Sequence, residues 1–248
     1  MTEFEDAARS GVATPPAAAS DILGAGFAGA TRYVDLLRKH GSERGLIGPR
    51  EVDRLWGRHV LNSAVVAELI PHGARVVDVG SGAGLPGVPI ALARPDLTVV
   101  LVEPMERRVR WLEEVRQELG LQLQVIRGRA EEVDVVRRLG ACDVVTARAV
   151  APLARLADWC LPLVRVGGRV LAIKGASAQD EIERDWSAIA AIGGGTPEVR
   201  MCGREVLESP TTVVVLERAR RTQGAHSARR SVRSVRPRDY TKRTRKDR

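Results

Sequence analysis

Aromatic residues are scarce in this 248-residue chain, with two Tyr, two Phe and four Trp making up 3 % of it. A platform of exposed rings that stacks nucleic-acid bases is therefore excluded. Cysteine is also sparse: Cys142, Cys160 and Cys202 are odd in number, far apart and without a CxxC pair. That pattern excludes a disulfide framework and fits a reducing compartment. The four histidines, His40, His59, His72 and His226, show no metal-ligand spacing, so no metal is expected. No apolar run reaches the length of a membrane-spanning helix, and the acidic start MTEFEDAARS leads into no signal-peptide core. A soluble, cytoplasmic protein without membrane association is expected, as a monomer.

Charge is plentiful but uneven. The net +8 resides in the last 31 residues, where 13 Lys/Arg face 2 Asp/Glu, a local charge of +11 that leaves residues 1–217 at −3. Residues 218–248 carry no apolar period and read as a disordered basic tail, suited to phosphate contact or to solubility alone. Residues 1–20, rich in Ala, Pro and Ser, read as a disordered leader.

Between them, residues 21–217 read as one domain. Its first part, 21–70, is helical. Asp21 is a plausible N-cap, followed by Leu23, Phe27, Tyr33, Leu36 and Leu37; a second helix over Arg50–Ile70 is stopped by Pro71. Short β-branched runs then appear at Arg75–Val79, Leu97–Val102, Leu121–Ile126, Asp143–Thr146 and Arg169–Ile173. They alternate with helical stretches near 86–94, 105–119, 151–163 and 178–192. Such alternation means βαβ units and a mostly parallel sheet. Two further strands, near 196–202 and 210–217, form an antiparallel hairpin at the edge and bring the sheet to seven strands.

The informative phrase is Asp78-Val79-Gly80-Ser81-Gly82-Ala83-Gly84-Leu85-Pro86-Gly87. A buried strand runs into a glycine-rich turn, and a helix follows with Pro86 in its first turn. Two ligands compete for it. Gly82 to Gly87 fits the dinucleotide pattern GxGxxG, whereas Asp78 to Gly84 fits DxGxGxG, the first motif of class I methyltransferases. Asp78 favours the second, since a carboxylate repels pyrophosphate but attracts the ammonium and sulfonium of S-adenosylmethionine. Glu103, closing the second strand about 20 residues on, can accept from the ribose hydroxyls of either cofactor.

Further phrases resemble the RsmG (GidB) family of 16S rRNA guanine-N7 methyltransferases. They are Arg58-His59 with Asn62-Ser63, the run Asp78–Pro89, Arg107-Arg108-Val109-Arg110-Trp111-Leu112, Gly128-Arg129-Ala130-Glu131-Glu132, Thr146-Ala147-Arg148-Ala149 and Ala172-Ile173-Lys174-Gly175. The resemblance spans about residues 30–217. It implies an α/β, Rossmann-like class I methyltransferase with an N-terminal helical extension, acting on N7 of a guanine in 16S rRNA or the small ribosomal subunit. It also implies a donor site at Gly80, Leu85, Ala130, Glu131 and Arg148, to which the motif adds Asp78, Gly82, Gly84 and Glu103. The family commonly has Asp as the second-strand acid, so Glu103 is carried over by position.

Methyl transfer from a sulfonium is an in-line displacement governed by positioning, and guanine N7 carries no proton, so no general base is needed. Arg129, Arg148 and Lys174 are the candidate catalytic residues beside the guanine. Arg58, His59, Arg107 and Arg108 are candidates for RNA contact, with His59 also readable as a packing residue. Three other functions fit parts of the sequence: a methyltransferase for another RNA, a small molecule or a protein; a nicotinamide-dependent dehydrogenase; and a noncatalytic RNA-binding assembly factor on the same fold.

Overall fold

The computed structural model describes residues 14–219. Helix α1 (Ala19–Leu23) and, after a 3₁₀ turn, α2 (Phe27–His40) open the chain. A segment of changing pitch follows: 3₁₀ over Pro49–Arg54, π over Leu55–Leu61, one α turn α3 (Asn62–Ala64), and 3₁₀ again over Val65–Leu69. The alternating part is β1 (Arg75–Val79), α4 (Gly87–Ala93), β2 (Thr98–Glu103), α5 (Glu106–Glu118), β3 (Gln124–Arg127), α6 (Val133–Leu139), β4 (Cys142–Arg148), α7 (Leu153–Cys160), β5 (Val164–Ile173), α8 (Ala178–Ala191), β6 (Glu198–Cys202) and β7 (Thr211–Glu217).

The seven strands lie in the order β3-β2-β1-β4-β5-β7-β6. The first five pair in parallel, and β7 runs antiparallel to both of its neighbours, β5 and β6. In β1 and β2 nearly every residue is buried, as expected for strands covered on both faces. Alternate residues divide between two cores. Val76, Val99 and Leu101 pack with Tyr33, Leu37, Trp111 and Leu112 on one side; Val77, Val100 and Val102 pack with Ile126, Leu153, Leu156 and Ile189 on the other. Strand order reverses between β1 and β4, so the crevice at their carboxyl ends is where an open α/β sheet receives a ligand.

Several expectations change. Asp21 does not cap α1; Ala18 holds that position and Asp21 lies in the first turn. The expected leader of 1–20 is too long, because Ala19 is already helical and fully buried; residues 1–13 lie outside the described residues. At the other end Arg218 continues β7 and is paired into the sheet. Its amide donates to Gly168 O at 2.9 Å, its guanidinium reaches Pro162 O and Val164 O, and it bridges to Gly194. The basic stretch from Arg220 lies outside the described residues.

The expected helix over 50–70 is not one regular α-helix. The apolar residues that suggested it are buried as required, including Leu55, Trp56, Val60 and Leu61. Around Gly57, however, the pitch widens until the Asn62 amide reaches the carbonyl five residues back. Helix α6, seven residues between β3 and β4, lies outside the sequence expectation; it buries only Val135 and Leu139, with Val136 partly covered, over two turns. All three cysteines are free and buried. Among the described residues no helix is long and apolar enough to cross a membrane, and no group of three or more His, Cys, Asp or Glu could hold a metal ion.

Candidate functional site

The turn after β1 is held from three directions. From β2, Val102 O accepts the amides of Gly80 and Ser81 at 2.9 and 3.2 Å. From the end of β2, the Glu103 carboxylate accepts Gly82 N–H at Oε2 and Met105 N–H at Oε1, both at 2.9 Å. From the helices, Ala83 O accepts the Tyr33 hydroxyl at 2.9 Å and the Trp111 indole at 2.8 Å. The result is a rigid rim around a cavity of about 490 Å³, lined by Gly80, Gly82, Leu85, Glu103, Arg108 and Arg148, with His59 and Val150 beside them. That size suits a cofactor.

The glycines are not equivalent. Gly80, Gly82 and Gly84 all have positive φ, but a Cβ on Gly84 would come 2.8 Å from Val88 Cγ2 and 3.0 Å from the Tyr33 hydroxyl. On Gly82 (φ +56°) its nearest neighbour would be Gly80 O at 3.7 Å, so this residue faces open cavity. Gly84 thus serves internal packing and does not line the cavity, contrary to the expected cofactor contact.

Asp78 also differs from expectation. Its side chain is fully buried beneath the turn, where Oδ1 accepts from Thr146 Oγ1 at 2.9 Å and Oδ2 from Gly87 N–H at 3.2 Å. Burial pushes its carboxyl up to about 6, against the pull of those hydrogen bonds. It ties β1, β4 and α4 together and does not line the cavity. The electrostatic choice of ligand drawn from Asp78 therefore loses its direct basis, because this carboxylate does not face the cavity.

Arg148, ending β4, is largely buried, and no carboxylate pairs with it among the described residues. Its four terminal N–H groups are all engaged. Nη1 donates to His59 O (3.2 Å) and Ser63 Oγ (3.0 Å), and Nη2 to Arg58 O (3.1 Å) and His59 Nδ1 (2.8 Å). Beyond it, His59 Nε2 meets Glu51 Oε2 at 2.9 Å, and Arg58 Nε lies 3.4 Å from the same oxygen. The π-helical segment is thereby fastened to the cavity wall, a setting where such irregular turns recur.

The other expected site residues are dispersed. Arg108 lines the cavity 4.0 Å from Glu103, whereas Arg107 is exposed near Gly45. Arg129 and Glu131 are exposed and Ala130 buried on the turn after β3, outside the cavity lining. Lys174 lines a neighbouring cleft of about 550 Å³, where Nζ donates to Ala151 O and Glu181 Oε2, both at 2.8 Å. Ala149 and Val150 line both hollows, and Ala149 holds a strained φ of +53°. Sequence reasoning leaves out Glu51, names Ser63 and Thr146 only within the family phrases without a role, and treats Tyr33 only as a helix-face residue. A buried Tyr or Trp must place its polar end somewhere, and that rule was the available signal for Tyr33 and Trp111.

Comparison with known proteins places the chain. The family model for rRNA small subunit methyltransferase G (GidB) matches residues 27–209. Ribosomal RNA small subunit methyltransferase G of Mycobacterium marinum is 55 % identical over 201 residues, covering 81 % of this chain and 88 % of the relative. The protein of that name from Salinispora arenicola is 55 % identical over 231 residues, covering 88 % and 95 %, and that of Corynebacterium jeikeium 52 % over 209, covering 84 % and 94 %. Among solved structures, a Methanococcus maripaludis protein assigned to the S-adenosyl-L-methionine-dependent methyltransferases superposes with a TM-score of 0.51 at 13 % identity, covering 79 % of this chain and 94 % of its own; the likeness is one of fold alone. The sheet, its antiparallel hairpin and these matches agree, and the chain belongs to the rRNA small subunit methyltransferase G family.

Proposed function

We propose that the chain methylates N7 of a guanine in 16S ribosomal RNA, with S-adenosylmethionine as donor. The observation that carries the donor reading is the pairing of Gly82 with Glu103 at the switch-point crevice. A backbone free of Cβ faces a buried acid whose two oxygens each retain capacity after one amide contact. These residues fit the donor. Glu103 would take the ribose hydroxyls, Gly80, Gly82 and Leu85 the methionine side, and Ala130 with Glu131 the adenine edge at the end of β3.

Bound there, S-adenosylmethionine supplies an electrophilic methyl group on sulfur. The chain's own work is placement. The Ala149–Val150 stretch separates the donor cavity from the cleft of Lys174, which is where the guanine would enter. Lys174, its ammonium paired with Glu181, would offer a donor to the guanine O6 edge, and the exposed Arg129 would meet RNA phosphate. Arg58 and Arg107, outside the cavity lining, and Arg108 on it would add contacts to the RNA backbone. Since N7 has no proton to lose, none of these groups need act as a base.

The test is incubation with small-subunit particles lacking the modification, then mapping of the methylated nucleotide. N7-methylguanosine at one position of 16S rRNA is expected. Methyl transfer to another atom, or to no RNA, overturns the assignment.

A further inference from the structure

The contact between Arg148 and His59 constrains the protonation of the imidazole. A guanidinium has only donors, so the atom it meets at 2.8 Å, His59 Nδ1, must be an acceptor. The proton of the neutral ring then lies on Nε2, where it points at Glu51 Oε2 at 2.9 Å. Three side chains from separate elements form one directed chain: Glu51 accepts from His59, and His59 accepts from Arg148. The remaining bonds of Arg148 run to Ser63 Oγ and to the carbonyls of Arg58 and His59. Both His59 and Arg148 line the donor cavity, so a change in the chain alters that wall directly.

We propose that Glu51 and His59 are positioning residues for the donor site: Glu51 fixes the Nε2–H tautomer of His59, and the neutral ring holds Arg148 against the cavity. This rests on the donor reading given above. A proton added at Nδ1 would set an N–H against the guanidinium and put a second positive charge beside a cavity meant for a sulfonium. Burial and the Arg148 charge hold the ring below the ordinary histidine pKa, against the opposing pull of Glu51. Arg58 and Arg54 add positive charge around Glu51, while Tyr33 and Asp78 face Arg148 from α2 and β1. The neutral, donor-competent form therefore prevails at neutral pH and is lost as pH falls below the ordinary histidine range.

Titration calorimetry of the full chain with S-adenosylmethionine, between about pH 5 and about pH 8, tests this. Parent affinity should be level at the upper end and fall about fivefold or more at the lower. Asp78, at about 6, titrates in the same window, so the comparison with His59→Asn isolates the ring. Asn can offer Oδ1 to Arg148 but gains no proton. It should bind within about threefold of the parent at the upper end and lack the His59 part of the fall. His59→Leu, without an acceptor, should lose about tenfold throughout. Glu51→Gln keeps an acceptor for Nε2–H but removes the negative charge that favours the protonated ring, so its fall should move to lower pH.

Nitrogen chemical shifts of isotope-labelled histidine read the tautomer with no donor present, so failure of the donor reading and failure of this chain are told apart. An Nε2–H signal for His59 that persists at neutral pH supports the chain, even in a protein that binds no donor. An Nδ1–H tautomer overturns it, as does a His59→Asn variant that titrates like the parent or a Glu51→Gln variant whose fall stays in place.

Discussion

Tyr33 and Trp111, 78 positions apart and on different helices, donate to the same oxygen, the carbonyl of Ala83, at 2.9 and 2.8 Å. A carbonyl has two lone pairs, and here both are used, so the middle of the glycine turn is fixed by two buried side chains. Packing against α2 and α5 and the shape of the cavity rim are therefore linked.

Tyr33→Phe removes one of those two bonds with little change of volume. The expected cost is about 1 kcal/mol in stability, read from urea unfolding, with a measurable loss of S-adenosylmethionine affinity. Tyr33→Phe combined with Trp111→Phe leaves the Ala83 carbonyl buried without a partner, and should cost more than the two single changes together. Strict additivity of stability and affinity would mean that the shared acceptor does not matter.

Gly82 and Gly84 should separate binding from folding. Gly82→Val places its side chain in open cavity at a positive φ, a strain of about 1–2 kcal/mol, and should abolish donor binding in a folded protein. Gly84→Ala meets Val88 and the Tyr33 hydroxyl, adds overpacking to the same kind of strain, and should lower stability by about 3 kcal/mol or more. Calorimetry with undiminished affinity in folded Gly82→Val would remove the turn from the donor site.

The sequence showed these glycines as one motif, and only their surroundings divide them. What is legible there depends on local pattern: the β-branched run Arg75–Val79 matches β1 to the residue, and two such runs close together signal the terminal hairpin. Where a side chain points after the strand ends was hidden. Asp78 turns under the loop because Thr146 and the Gly87 amide wait there, and Thr146 is 68 residues away. The strand-end place of Arg148 points it to substrate, yet its terminal nitrogens are bound by a helical segment that precedes β1. That segment departs from regular α pitch, which apolar spacing does not reveal in pieces this short, since over one or two turns the three helical periods place much the same side chains inward.

Asp78 gives a prediction for stability against pH. Its folded pKa of about 6 exceeds the ordinary 3.8, so the folded state holds the proton more tightly over that interval. Stability from this group is then greatest at low pH and declines as pH rises from about 4 to about 6, by on the order of 3 kcal/mol. Asp78→Asn can still accept from Gly87 N–H while its amide donates to a reoriented Thr146 hydroxyl, so it should fold and lack this decline. An identical stability profile for Asp78→Asn and the parent would show that the carboxyl does not titrate there.

Charge beyond the described residues yields the last prediction. Residues 220–248 carry 12 Lys/Arg and 2 Asp/Glu, a net +10, while residues 1–219 sum to −2. A mildly acidic body meeting a polyanion gains encounter rate and phosphate contacts from so cationic a stretch. Truncation must fall after Ala219, because Arg218 is bonded to Gly168 O and Pro162 O and its loss would disturb the end of β7. If about five of the cations meet phosphate together, log affinity for RNA should fall against log salt with a slope on the order of −4 in the parent, and much less steeply in the truncated protein. S-adenosylmethionine affinity should be unchanged, and methyl transfer at saturating RNA should persist, since every residue proposed for the chemistry precedes Ala219. Filter binding across a salt series reads the slopes directly: equal slopes would make the stretch irrelevant to RNA affinity, and loss of turnover at saturating RNA would mean that it takes part in the reaction at the site itself.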